Sequence, residues 1–198
     1  ISTQRAGLGV DIGDVVHARD IFLDKAYRSA TGRQAFYAAS YDAVSEVQTY
    51  LQETQGQAFQ TSLADLYEAF SEFAKDPSDA VNQNLVMQKA SLFVSRVSSL
   101  NQGLQKYQST INRKISDDVD RINELGKKIQ ELNLQIQRVE SAGVETAMDL
   151  RDTRDLYLDE LSTLAKVSYS ENVDGVVKVQ IDDVEFVTEN SVYTMSMR

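Results

Sequence analysis

Apolar residues recur along most of this chain in steps of three and four, the spacing that lines one face of an α-helix. From about Asp14, the positions Ile21, Phe22, Tyr27, Phe36, Tyr37, Tyr41, Val44, Val47 and Leu51 predict a first helix with a broad, aromatic-rich face. Those tyrosines and phenylalanines are expected as core first and as interface second. Thr31-Gly32 falls inside the pattern, and a glycine costs a helix interior about 1 kcal/mol relative to alanine, so a bend or local break is expected there. The polar run from Gln52 to Gln60, which contains Gly56, predicts a loop.

A short second helix follows, with Ser62 expected as its cap, Asp65 three residues on, and Leu63, Leu66, Tyr67, Phe70 and Phe73 as its buried stripe. It ends at Asp76-Pro77. Proline suits the first turn of a helix, so Asp76 is expected to cap a third helix with Pro77 at its first position. The ladder of that helix runs Phe93, Val97, Leu100, Leu104, Tyr107, Ile111, Ile115, Val119, Ile122, Leu125, Ile129, Leu132, Ile136 and Val139, close to a coiled-coil repeat. Unbroken from Pro77 to Glu140, it would span roughly 95 Å. Pairs four apart, Asp117 with Arg121, Glu124 with Lys128 and Lys127 with Glu131, line its outer side, and Gly143 is expected to end it. The ladder needs a partner, and the aromatic face of the first helix is the expected one, in an antiparallel pair.

After a loop, Asp149 is placed to cap a fourth helix with Asp152 at its third position, and Leu150, Tyr157, Leu161 and Leu164 form its expected stripe. Beyond Lys166 the period changes to two. Val167-Ser168-Tyr169, Val176 to Ile181 and Val184 to Val187 read as strands, with Asp174-Gly175 and Asp182-Asp183 at the turns. Three strands alone are marginal and are expected to pack on the fourth helix or on segments outside this chain. The fold class expected is mainly α: an elongated bundle of long antiparallel paired helices, with a small β-meander at the C-terminal end. The expected domains are a helical rod over 1–166 and the meander over 167–198, packed on the rod.

Composition narrows what such a fold can do. Acids outnumber bases 30 to 20, giving a formal charge of −10, which argues against a nucleic-acid backbone as partner. There are no cysteines, so disulfides, thiolate metal sites and cysteine nucleophiles are excluded together. No apolar run reaches the ~18 to 20 residues of a membrane span, and residues 1–20 lack a basic-then-apolar signal pattern. The single histidine, His17, reads as a surface or packing residue, since no activating partner is indicated. Asp117, Asp118 and Asp120, and likewise Asp182, Asp183 and Glu185, lack the alternating ligands, glycine and closing glutamate of a calcium loop. No catalytic residue, cofactor or metal is assigned. Arg151 and Arg154, beside Asp152 and Asp155, are the candidate subunit-interface residues, because a guanidinium can grip a carboxylate with two parallel bonds; capping and intrahelical pairing is the other reading.

Several stretches carry a family resemblance: Gly9-Val10-Asp11-Ile12 followed by Arg19-Asp20-Ile21-Phe22-Leu23, the Lys75-Asp76-Pro77-Ser78 break, and Ile122-Asn123-Glu124-Leu125 through Leu132-Asn133-Leu134-Gln135-Ile136. The most specific is Asp149-Leu150-Arg151-Asp152-Thr153-Arg154-Asp155 through Leu158-Asp159-Glu160-Leu161-Ser162, running into the valine-rich strands. Together they resemble, in order and over nearly the whole chain, the FlgK family of bacterial flagellar hook-associated proteins. The resemblance implies a non-enzymatic structural protein, exported through the growing organelle and assembled as an adaptor ring between hook and filament. It implies as partners the hook protein, a second junction protein and identical subunits, with the isolated chain monomeric. It also implies a middle portion, flanked by terminal helices and with an outer domain beyond Arg198. His17 stands where the family often has arginine, and Asp182-Asp183 where glycine is expected. Alternatives are another axial subunit, such as the second junction protein or a flagellin-like protein, and an extracellular helical adhesin or coiled-coil scaffold.

Overall fold

The computed structural model describes residues 21–52, 59–141 and 147–197. It contains four helices, α1 (Ile21–Gln52), α2 (Phe59–Lys75), α3 (Ala80–Glu140) and α4 (Met148–Leu164), followed by three strands, β1 (Val167–Glu171), β2 (Val177–Ile181) and β3 (Val184–Val187). The mainly helical class with a C-terminal meander is therefore as expected. The positions expected for the start of the first helix before Ile21, the loop at Gly56, the stop at Gly143 and His17 lie outside the described residues.

Contacts group the residues into two units. One takes α1 as far as Ala30 together with Leu125–Tyr193; the other takes Thr31–Glu124 and the chain from Thr194 on. The change of composition after Lys166 thus falls inside a unit, and the strands group with α4 and the C-terminal part of α3.

In the first unit the core is aliphatic. Leu125, Ile129 and Ile136 of α3, Leu158 and Leu161 of α4, and Val177, Val179, Phe186 and Val187 of the sheet are all buried. The sheet is an antiparallel meander in the order β1-β2-β3. Val179 pairs with Val187 while Gln180 pairs with Glu185, leaving Phe186 as an extra residue on β3. That bulge lets Phe186 and Val187 both bury, which strict alternation forbids. The Phe186 ring lies against α3 at Gly126, where an added Cβ would meet its Cζ at 2.6 Å. The sheet therefore packs on α3 as well as on α4. Asp182 and Asp183 both adopt positive φ, 49° and 66°, as a two-residue I′ hairpin turn requires, and aspartate tolerates that region better than most residues.

The second unit departs from the sequence-based picture in five respects. α1 runs unbroken through Thr31-Gly32. Its shielded positions in this unit are mainly small, Thr31, Gly32, Ala35 and Ala43, followed by Val47 and Tyr50. Its large residues Phe36, Tyr37, Tyr41 and Val44 are exposed, contrary to their expected place in the core. Tyr50 lies against Gly103 of α3 and its ring centroid is 6.4 Å from that of Tyr107.

α2 is likewise turned over. Ser62 and Ala69 are buried, whereas Leu63, Tyr67 and Phe70 of the expected stripe are exposed. Ser62 does not cap α2: it lies within the helix and its hydroxyl donates to the Phe59 carbonyl at 2.8 Å. α2 and α3 face each other through Lys89 with Asp65 at 2.7 Å and Phe59 with Phe93 at 5.7 Å between ring centroids. The cap of α3 is Asp79, not Asp76. Its side chain accepts from the Val81 N–H at 2.8 Å and its carbonyl from Gln83 at 3.1 Å, while Asp76 accepts from the Ser78 N–H and hydroxyl and so organises the turn before it.

Candidate functional site

The sequence singled out Arg151 and Arg154, and the structure puts both at the junction of α3, α4 and the β1–β2 turn. They stand three positions apart, so they project from one side of α4. Arg151 grips Glu140, at the end of α3, with two parallel bonds of 2.7 and 2.6 Å, and reaches Glu171 on β1 at 2.6 Å. Glu140 also accepts the Ala147 N–H at 3.0 Å. A carboxylate from the preceding helix thus meets the positive start of α4, where Ala147 is the N-cap and no side-chain cap bond is made. Asp149, expected as that cap, is instead inside the first turn. The Arg151 bonds hold the Glu140 carboxyl below its ordinary pKa despite some burial, and Glu140 in turn raises that of Arg151.

Arg154 is 2 % exposed. It donates to the Gly175 carbonyl, to Asn133 Oδ1 at 3.0 Å and to Glu171 at 3.1 Å. Burial lowers its pKa, which the shared carboxylate of Glu171 partly offsets. Asn133 spans the same junction: its amide donates to the Val177 carbonyl at 2.8 Å and accepts the Val177 N–H at 3.1 Å, completing the backbone pairing of that residue from a helix. Gly175 has φ of 74°, and a Cβ there would lie 2.7 Å from Arg151 Nη2 and 3.0 Å from Glu140 Oε2. Backbone conformation and crowding both demand glycine at that turn.

A third arginine, absent from the sequence-based candidates, ties α1 to the same unit. Arg28 donates from Nε to Asp159 at 2.6 Å and from Nη2 to Asp155 at 3.2 Å, and its guanidinium lies 4.6 Å from the centre of the Tyr169 ring. Burial opposes its charge, but bonding to Asp159 and the field of Tyr169 outweigh it and the pKa rises. Arg151 and Arg154 are therefore engaged inside the chain, through neither helix capping nor intrahelical pairing. The residues that sequence reasoning missed are Arg28, Asn133, Glu140 and Glu171. Only Asn133 left a signal: with Ile129, Leu132 and Ile136 it completes an i, i+3, i+4, i+7 face, a polar residue where an apolar one is expected.

Elsewhere the expected chemistry is bland. Among the described residues, no group of three His, Cys, Asp or Glu could hold a metal ion, and no helix is long and apolar enough to cross a membrane. Asp182 and Asp183 lie 2.9 and 3.8 Å from Lys166 on the surface. What remains conspicuous is apolar exposure: Tyr37, Tyr41 and Tyr67 are 68, 73 and 75 % exposed.

A family model described as the flagellar hook-associated protein FlgK helical domain matches residues 44–198. The chain is 27% identical over 186 residues to flagellar hook-associated protein 1 of Bacillus subtilis (strain 168), an alignment covering 89% of this chain and 36% of that protein. It is 25% identical over 174 residues to the protein of the same name from Escherichia coli (strain K12), covering 87% and 32%. The chain thus spans about a third of the length of these relatives. Its fold is similar to that of the flagellar hook junction protein FlgK from Burkholderia pseudomallei, with a TM-score of 0.73 at 22% identity, over 86% of this chain and 30% of that one.

Proposed function

The chain belongs to the flagellar hook-associated protein FlgK family, and from that premise we propose that it is a structural subunit of the bacterial flagellum, standing in the adaptor ring that joins hook to filament. The observation that carries this reading is the pair of outward apolar rows on α1 and α2. Helices that turn rows of tyrosine, phenylalanine and leucine to water offer a surface for another element to cover. A structural role asks for such a surface and for no reacting group.

The ring places identical copies beside one another, with the hook protein on one side and a second junction protein on the other. The protein acts outside the cell, after export through the channel of the growing flagellum. Arg151 and Arg154 serve the ring by holding α4 and the meander in one shape for a neighbour to meet. Load passing between hook and filament then acts on a clasped unit, not on a loose hairpin.

Immunogold labelling of intact flagella with an antibody to this chain, against a strain lacking the gene, tests the reading. A single band at the hook–filament joint is the expected result. Label along the whole filament would move the chain to a filament subunit, and label confined to the cell body would remove it from the flagellum.

A further inference from the structure

Two asparagines of α3 each hold both backbone groups of a residue near the C-terminal end. Asn133 donates to the Val177 carbonyl and accepts the Val177 N–H. Asn123 does the same with Met195: its Nδ2 donates to the Met195 carbonyl at 2.9 Å and its Oδ1 accepts the Met195 N–H at 2.8 Å. An extended residue turns its N–H and C=O to one edge, and in an antiparallel ladder the residue opposite exchanges both bonds with it. A side-chain amide carries the same donor and acceptor as a peptide. Each asparagine therefore stands where a residue of another strand would stand.

At Val177 the sheet itself shows the reason. β2 pairs with β3 over Val179, Gln180 and Ile181, and Asn133 takes the place beside Val177 that β3 leaves. At Met195 there is no sheet to complete. The Tyr193 N–H is taken by the Phe186 carbonyl at 2.9 Å, and beyond it residues 194–197 belong to no helix or strand. Met195 is half-buried there, while Tyr193 and Met197 are exposed. We infer that Asn123 is a positioning residue: its amide holds residues 194–197 on α3 in one register, and does so by engaging the backbone of Met195 and not its side chain. The chemistry asks for asparagine. Aspartate lacks the donor, leucine lacks both groups, and glutamine carries the amide one methylene farther out. The inference concerns the inside of the chain and stands apart from where the protein sits in the flagellum.

Nuclear magnetic resonance of the isotope-labelled chain tests this through amide exchange at Met195 and backbone order over residues 194–197. Asn123→Leu keeps the approximate shape of asparagine without its donor or acceptor. Exchange at Met195 should become at least about tenfold faster and the segment should lose order, with the helicity and unfolding midpoint of the chain unchanged. Asn123→Asp supplies a readout that packing alone would not move. Above the carboxyl's ordinary pKa of about 3.9 the side chain accepts but cannot donate; below it, the neutral carboxyl again offers one donor and one acceptor. Order over residues 194–197 should therefore fall below wild type at neutral pH and return towards wild type in acid, each compared at the same pH. Unchanged exchange at Met195 in Asn123→Leu, or order in Asn123→Asp that keeps the same relation to wild type at both pH values, overturns the proposal. So does a loss of protection spread over the whole chain, which would make Asn123 a part of the core and not the holder of one segment.

Discussion

The two units solve the same problem in opposite ways. In the unit built from the start of α1 and Leu125–Tyr193, aliphatic side chains are buried and three arginines are spent on internal carboxylates and carbonyls. In the unit containing Thr31–Glu124, α2 and α3 meet through the Lys89–Asp65 ion pair and the Phe59 and Phe93 rings, while tyrosines, phenylalanines and leucines face water. The first unit contains its own core; the second is half of one. Proteins that work by assembling need both: a part whose shape does not depend on the neighbour and a part whose apolar surface does.

The strongest way to break that contrast is Arg154→Ala. It empties a buried site and leaves the Gly175 carbonyl and Asn133 short of a donor, so a loss of about 3 to 5 kcal/mol is expected, read by denaturant unfolding followed by circular dichroism. For the same reason, reversing Arg154 to glutamate is a poor test of assembly, because it breaks the fold first. Tyr41→Glu in the other unit should change monomer stability by less than about 0.5 kcal/mol.

Two helical glycines sharpen the comparison with a single substitution type. Gly126→Ala drives a Cβ to 2.6 Å from a ring locked in the core, so about 1 to 3 kcal/mol of overpacking should outweigh the better helix propensity. Gly103→Ala meets Tyr50 at 2.8 Å, but that ring is only partly buried and can swing, so its effect should lie within about 1 kcal/mol of zero. Equal losses at both sites would mean that the second unit is as tightly packed as the first.

Acid should separate the units as well. The Glu140 carboxyl has a folded-state pKa below its ordinary 4.5, so its contribution is complete above that value and is lost as pH falls through the lowered one. Glu140→Gln should cost about 1 to 2 kcal/mol at neutral pH and leave a flatter acid limb in a pH titration of stability. The smallest effect expected is a gain: Asp183→Gly, at φ of 66° in the hairpin turn, should stabilise the meander by about 0.5 to 1 kcal/mol in thermal unfolding.

Much of the fold was legible from the residues because it is local. Strand periods, the Asp174-Gly175 and Asp182-Asp183 turns, and the long ladder of α3 are written in short-range patterns that need no knowledge of the rest of the chain. Caps were less legible: the sequence pointed to Asp76, and only the turn that Asp76 organises leaves Asp79 to meet the first free N–H groups of α3. The site was half legible. An arginine pair on α4 stands out, but its partners Glu140 and Glu171 lie eleven and twenty residues from Arg151 and acquire meaning only when the chain brings them together.

By itself, the sequence determined that this chain makes long helices with apolar faces and a small sheet at the end. Only the tertiary structure decided which surface stays outside. Periodicity states that a row of tyrosines lies on one side of a helix, and is silent on whether the opposite row of glycine, alanine and threonine packs more closely. In the structure Thr31, Gly32, Ala35 and Ala43 are half-buried while Tyr37 and Tyr41 are exposed, because which side of α1 is covered depends on what the rest of the chain brings to it and not on the helix's own period.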